Sequence, residues 1–256
     1  MKRYLSVAVL LCAAALTACE KNAVQDITGT VPGSSVRFFN FGVNAPSVNF
    51  YANDRKMTAI TSATGTESTL GTAYGSVGSG GFYSGIQPGQ YTFTGKISAA
   101  TDKDLAVASI PGTLADGKSY SVYLSGFYNT TTKTVDGFIV EDPFPATYDY
   151  SVALVRFVNA ISNSSPMTMF VRDTSTKAET AIGAAVAYKA AGAFVAVPNG
   201  VYTLNSRVAG SAGNAIVRSG VSLVAGKVYT ISARGDMTVV STTATNRPFL
   251  DNTANR

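Results

Sequence analysis

The sequence predicts an all-β protein built as two tandem sandwiches, and three observations carry that expectation. Only 14% of the 256 residues are charged, while Gly (24), Tyr (13) and Phe (13) are plentiful beside many Thr, Ser and Val, which suits short strands joined by turns. Apolar side chains alternate with period two in every ordered block, the mark of a half-buried strand. Three blocks also occur twice in the same order. "VRFFNFGVNAPSVNFYAND" at 36–54 matches "VRFVNAISNSSPMTMFVRD" at 155–173, "QPGQYTFTGKI" at 87–97 matches "PNGVYTLNSRV" at 198–208, and "LADGKSYSVYLSG" at 114–126 matches "LVAGKVYTISARG" at 223–235. A unit of about a hundred residues, an ordinary domain size, is therefore duplicated.

The first element is an address. Lys2 and Arg3 precede an apolar run that ends at Ala18, too short to span a bilayer comfortably and typical of an export signal. Leu16-Thr17-Ala18-Cys19 resembles the lipobox of bacterial lipoproteins, and that resemblance implies cleavage after residue 18 and acylation of Cys19. A plain signal cut after Ala15, using Ala13 and Ala15 as its small residues, would instead leave Cys19 a stray thiol. Several acyl chains hold a membrane durably where one does not, so the expected protein is anchored to a bacterial cell envelope. Glu20 is not the aspartate associated with inner-membrane retention in enteric bacteria, which by analogy favours the outer membrane. Residues 19–34 are polar and carry Gly29, Pro32 and Gly33. They read as a flexible tether spanning about 20 Å as a coil and about 50 Å when extended.

The first unit is expected over 35–141. Val36 and Phe38 share one face, as do Val48, Phe50 and Ala52, then Tyr91, Phe93 and Ile97, then Tyr120, Val122 and Leu124. The second, over 151–245, repeats this with Val155 and Phe157, Met167, Met169 and Val171, Tyr202, Leu204 and Val208, and Tyr229 and Ile231. Pro88-Gly89, Asn199-Gly200, Asp116-Gly117 and Ala225-Gly226 each place a turn before a Tyr-led strand. About seven short strands per unit indicate immunoglobulin-like sandwiches. Residues 142–150, with Pro143 and Pro145, read as an interdomain linker, and 246–256 as a C-terminal tail. The repeated blocks resemble the domain family of unknown function DUF4397, in two copies covering nearly the whole mature chain. That resemblance implies an extracytoplasmic β-domain of unassigned activity and supplies no catalytic residues.

Composition also excludes chemistry. No histidine occurs anywhere, which removes Ser-His-Asp and Cys-His nucleophile systems and His-ligated metals. Trp is absent too, so the strongest aromatic platform for sugars or cations is missing, with tyrosine a weaker substitute. Formal charge is +5, of which Lys2 and Arg3 supply two in the leader, leaving +3 spread over both halves with no stripe for nucleic acid. Gly112 through Ser119 satisfies the pattern of a phosphate-binding loop, with Gly117 and Lys118 in place. Such a loop needs a helix after it to supply N–H groups, and the residues after Lys118 alternate as a strand. A turn is expected, with no nucleotide.

Three candidate sites remain. Glu141, Asp142 and Asp149 form the one acidic concentration, suited to acid–base work or Ca²⁺, or simply to a solvated linker. Asp102 and Asp104 sit in a first-copy loop whose second-copy counterpart, Ser211-Ala212-Gly213, has no acid, which rules out a metal site shared by both units. Tyr51, Tyr83, Tyr123 and Tyr128 fall on or beside faces expected to point outward, either as a ligand surface or as packing partners across strands. With the Gly/Ser/Thr-rich loop at 63–85, they form the expected surface of a carbohydrate- or polymer-binding accessory protein. The leading expectation is a non-enzymatic envelope module for binding, adhesion or scaffolding, its partner an envelope protein or polysaccharide. No cofactor, catalytic residue or metal ligand is expected.

Overall fold

A computed structural model describes residues 33–60 and 62–255. The export signal, Cys19 and nearly all of the tether lie outside the described residues. Among the described residues there is no α-helix, and no helix long and apolar enough to cross a membrane.

The chain from 34 to 141 forms nine strands: β1 (Ser34–Asn40), β2 (Val48–Ala52), β3 (Arg55–Lys56), β4 (Ser76–Val77), β5 (Ser84–Ile86), β6 (Gly89–Ile97), β7 (Ala106–Leu114), β8 (Ser119–Asn129) and β9 (Thr134–Glu141). Nine more follow from 152: β10 (Val152–Asn159), β11 (Met167–Asp173), β12 (Glu179–Ala181), β13 (Ala190–Ala191), β14 (Val195–Pro198), β15 (Gly200–Val208), β16 (Ile216–Leu223), β17 (Val228–Arg234) and β18 (Phe249–Ala254). The excess over seven per half comes from two- and three-residue edge pieces that pair loops onto the sheets.

Each half is two sheets. The first half has a front sheet ordered β4-β1-β8-β9, with β5 also on β1, and a back sheet β3-β2-β6-β7. The second half has β13-β10-β17-β18, with β14 also on β10, and β12-β11-β15-β16. The two orders correspond strand for strand, so the duplication seen in three blocks extends through the whole topology. In both, the opening strand runs parallel to the penultimate one, and Val36↔Tyr120 answers Val155↔Tyr229.

The period-two residues point where their spacing requires. Val36, Phe38, Val48, Phe50, Phe93, Val122 and Leu124 share one core, with Phe38 stacked on Phe50 at 4.9 Å and edge-on to Phe93 at 5.9 Å. Val155, Phe157, Met167, Met169, Leu204 and Ile231 fill the second core. Each fully buried side chain of this size contributes about 1.5–3 kcal/mol.

The repeated turns are clamped in the same way in both halves. Tyr91 donates its hydroxyl to the Gln87 carbonyl at 2.9 Å, and Tyr202 to that of Pro198 at 2.8 Å. The Tyr120 hydroxyl accepts from Ala115 N–H at 3.0 Å, and Tyr229 from Val224 N–H at 3.2 Å. Gly117 and Gly226, at φ +69° and +75°, supply the left-handed residue that these turns need. Residues 112–119 are thus the end of β7, a turn and the start of β8. Lys118 is spent on Glu141 at 2.9 Å.

One boundary is corrected. Residues 246–256, expected as a tail, contain β18, which covers the open edge of β17 and buries Leu250 completely in the second core. Its "FLDNTA" sequence lacks a β-branched run, so local propensity concealed a strand that tertiary pairing imposes. Phe38→Ala should cost about 3–5 kcal/mol of unfolding free energy, whereas Phe82→Ala, at a side chain 77% exposed, should change it by less than about 0.5 kcal/mol. Urea denaturation followed by tyrosine fluorescence measures both.

Candidate functional site

Both faces of the front sheets are buried. Phe39, Tyr123 and Phe138 stand opposite one another on β1, β8 and β9 and stack in a row, at 4.5 Å and 4.9 Å between ring centroids. They face away from the first core and pack, with Phe41, on Val158 and Ala160 of the second half. The two sandwiches therefore meet front to front across an aromatic seam. At one end of the seam Ser125, Tyr188 and Asp136 share hydrogen bonds at 2.8 and 3.2 Å, and Lys189 pairs with Asp136 at 2.6 Å. Arg234 of the second half lies 5.0 Å from the Tyr74 ring of the first.

At the other end lie Arg37 and Arg156, the arginines of the two "VRFxN" blocks, at 1% and 0% exposure. Each crosses to the opposite half and makes the same pair of contacts. Arg156 donates to the Glu141 carbonyl at 2.9 Å and pairs with the Asp142 carboxylate. Arg37 donates to the Ala254 carbonyl at 3.3 Å and to Asn255 Oδ1 at 2.5 Å. Glu141 and Ala254 are counterparts, because each stands opposite the Tyr that opens β8 or β17. Each guanidinium also stacks on the aromatic residue preceding the strand beside it, Arg37 on Tyr83 at 4.5 Å and Arg156 on Phe194 at 5.1 Å. The exchange is reciprocal in geometry but not in charge, since Asp142 is matched by Asn255.

Asp142 is the hub of this network. Beyond Arg156, it accepts from Ser121 Oγ at 2.8 Å and from the Tyr83 hydroxyl at 2.7 Å. An ion pair with no solvent contact holds only when its remaining lone pairs are satisfied, and Ser121 and Tyr83 supply that. Burial pushes the Tyr83 phenol far above its ordinary range, and the neighbouring Asp142 charge adds to the shift.

The structure does not gather the three linker acids into one site. Asp142, expected in a solvated linker, is buried because Arg156 needs a counter-charge. Phe144 follows it into the seam between the rings of Tyr83 and Phe194, at 5.9 and 5.8 Å. Glu141 pairs outward with Lys118, and Asp149 accepts from Ser151 in its own turn, so the three acids do not converge. Asp102 pairs with Lys133 at 2.7 Å. No group of three or more Cys, Asp or Glu among the described residues is placed to hold a metal ion.

The tyrosine surface is likewise corrected. Tyr123 is fully buried in the seam, and Tyr51 is buried under the stems of Lys56 and Lys96, whose ammonium groups lie 5.6 and 4.4 Å from its ring. Tyr128 is half-buried against the first core, and Tyr83 is bound into the arginine network. The 63–85 loop contributes β4, a short 3₁₀ turn at 78–81 and the start of β5 to the front sheet. Arg37 and Arg156 were missed at the sequence level. The available signal was an arginine between two inward residues, followed by a further apolar residue on its own face, Phe39 or Val158, in both copies.

No protein-family model matches the sequence, and no curated protein does. Among solved structures, the chain is similar to a Bacteroides ovatus protein provisionally assigned to cell adhesion, at 10% identity and a TM-score of 0.26, covering 88% of this chain and 96% of that one.

Asp142→Ala should destabilise the protein by about 3–5 kcal/mol, because it strands the buried Arg156 charge, and adding Arg156→Met should recover most of the loss. Chemical denaturation of the single and double variants tests this. Burial pushes Tyr188 up to about 12, with Asp136 adding to the shift against the opposing Ser125 hydrogen bond, and burial also raises Tyr123 and Tyr74. These phenols stay protonated in the folded state above the ordinary value near 10. Their contribution is therefore intact below about pH 10 and is lost as pH rises toward about 12. Denaturation midpoints at pH 9, 10 and 11, with phenolate absorbance as the second readout, should show that fall.

Proposed function

We propose that the protein is a non-enzymatic lipoprotein of the bacterial cell envelope, anchored through acylated Cys19, that presents two sandwiches of the DUF4397 type as one module for binding, adhesion or scaffolding. The observation that carries this reading is where the reactive side chains are spent. The most elaborate polar constellation, the buried Arg37, Arg156, Asp142 and Ser121 with the half-buried Tyr83, joins the halves. The acids beside it face separate partners. What this arrangement leaves exposed is a broad, pre-formed surface, which suits recognition better than turnover.

Tyr123 and the inner side of the 63–85 loop stabilise the seam, so the partner surface is the outward-facing remainder of the module, the rim at Phe82 included. Seating at the outer membrane rests on the lipobox-like 16–19 segment and Glu20, and the envelope partner is a protein or polysaccharide.

Wild-type protein should partition with membranes and incorporate labelled palmitate, and Cys19→Ala should abolish the label and move the protein to the soluble fraction. The soluble variant should be retained saturably on isolated envelope particles from its own host. Absence of saturable retention, or turnover of ester, peptide or glycoside substrates, would overturn the reading.

A further inference from the structure

The duplication provides an internal control for one surface. In the first half, Lys118, in the turn just before β8, pairs with Glu141, and the residue after Glu141, Asp142, neutralises Arg156. The linker lines the adjoining groove, of about 300 Å³, through Pro143, Phe144 and Pro145. In the second half Lys227 stands where Lys118 does, and both carboxylates are replaced: Ala254 occupies the position of Glu141, and Asn255 that of Asp142. Neither Lys227 nor Arg37 makes an ion pair among the described residues. The counterpart groove, lined by Gly81, Phe82, Tyr83, Lys227 and Asn255, is open and measures about 670 Å³, within the usual range for a ligand site.

A further observation points to an incoming anion. Arg37 lies directly behind the wall, donating to the Gly81 carbonyl at 3.4 Å and to Asn255 Oδ1, and its Nε is buried without a partner. Asp142, the nearest buried carboxylate in this network, is already committed to Arg156, Ser121 and Tyr83. Neutral partners do not balance a buried cation as a carboxylate does. With aromatic side chains in its walls, the buried Arg37 and the exposed Lys227, both without an ion-pair partner among the described residues, focus positive potential into the cleft.

We propose that this cleft binds a carboxylate ligand, which supplies the charges that Glu141 and Asp142 supply in the other half. Lys227 contacts the carboxylate, Arg37 holds the potential from behind, and Phe82, 77% exposed at the rim, packs on the apolar body of the ligand. The carboxylate could come from an acidic peptide or from a uronic acid of a polysaccharide. The inference rests on the binding-module reading, since it names what such a module recognises.

The test is calorimetric titration of the full-length protein in detergent, at fixed ionic strength, with tetraglutamate and separately with digalacturonate. At least one should bind saturably at one site per chain. A response to tetraglutamate alone identifies a peptide source, to digalacturonate alone a polysaccharide, and to both recognition of the carboxylate itself. Lys227→Ala should weaken binding about tenfold, equivalent to ~1.4 kcal/mol, while Lys118→Ala should leave affinity within about twofold. Asn255→Asp, which installs an internal counter-charge, should raise Tm and abolish binding. The proposal is overturned if neither probe binds saturably, if Lys227→Ala binds as wild type, or if Asn255→Asp retains full affinity. Retention on envelope particles alongside any of these results would leave the module reading standing and remove only this cleft.

Discussion

The reciprocal exchange of Arg37 and Arg156 is the constraint on which the rest of the molecule depends. A guanidinium cannot be left in a protein interior without hydrogen-bond acceptors and, preferably, a negative charge. Each arginine here is placed by its own strand with its neighbours facing inward, so it must point out of its own sandwich. Its own half offers one neutral acceptor, the Gly81 carbonyl for Arg37 and Thr230 Oγ1 for Arg156, and the remaining acceptors lie across the seam, at the ends of β9 and β18. Neither half can satisfy its arginine alone, and the aromatic row of Phe39, Tyr123 and Phe138 supplies the apolar burial that makes the crossing favourable.

That dependence explains why the linker is ordered where a solvated connection was expected. Asp142 is at once the residue after β9, the counter-charge of the second half's arginine and the acceptor of the Tyr83 hydroxyl. Fixing its carboxylate fixes the chain beyond it, and Phe144 continues the packing between Tyr83 and Phe194. The two prolines then stiffen a segment that is already held at one end. The seam and the ordered linker thus hold the two sandwiches to each other at both levels.

Much of the fold was legible in the sequence. Period-two alternation placed the inward residues of both cores, from Val36 and Phe38 to Tyr229 and Ile231, because one face of each strand must be apolar whatever covers the other. The turns were legible through Gly117 and Gly226, whose φ values few other residues adopt. The outward faces were not, since alternation says which side is buried first and nothing about whether a second layer arrives. Tyr123 reads identically as a solvent-facing tyrosine and as the middle of a buried stack. β18 was hidden for a related reason: Leu250 is its one deeply buried residue, and its pairing partner is supplied by tertiary structure.

The duplication makes the differences between copies more informative than their likeness. Positions that serve the fold have kept their chemistry: the turn tyrosines, the turn glycines, the arginine and the buried Asn40 and Asn159, each of which donates to loop carbonyls from the end of its strand. Where the copies diverge around the arginines, they diverge in charge. Glu141 and Asp142 face Ala254 and Asn255, and a ring with a hydroxyl, Tyr83, faces one without, Phe194. The first copy's set is neutralised, Asp142 by the buried Arg156 and Glu141 by Lys118 at the surface, with the linker alongside. The second retains both cations, loses both acids and stays open to solvent. A purely structural joint would gain from a second carboxylate beside Arg37, because an uncompensated buried cation costs stability. Its absence, together with an open cleft and an unpartnered Arg37 Nε, is what the proposed anion site rests on.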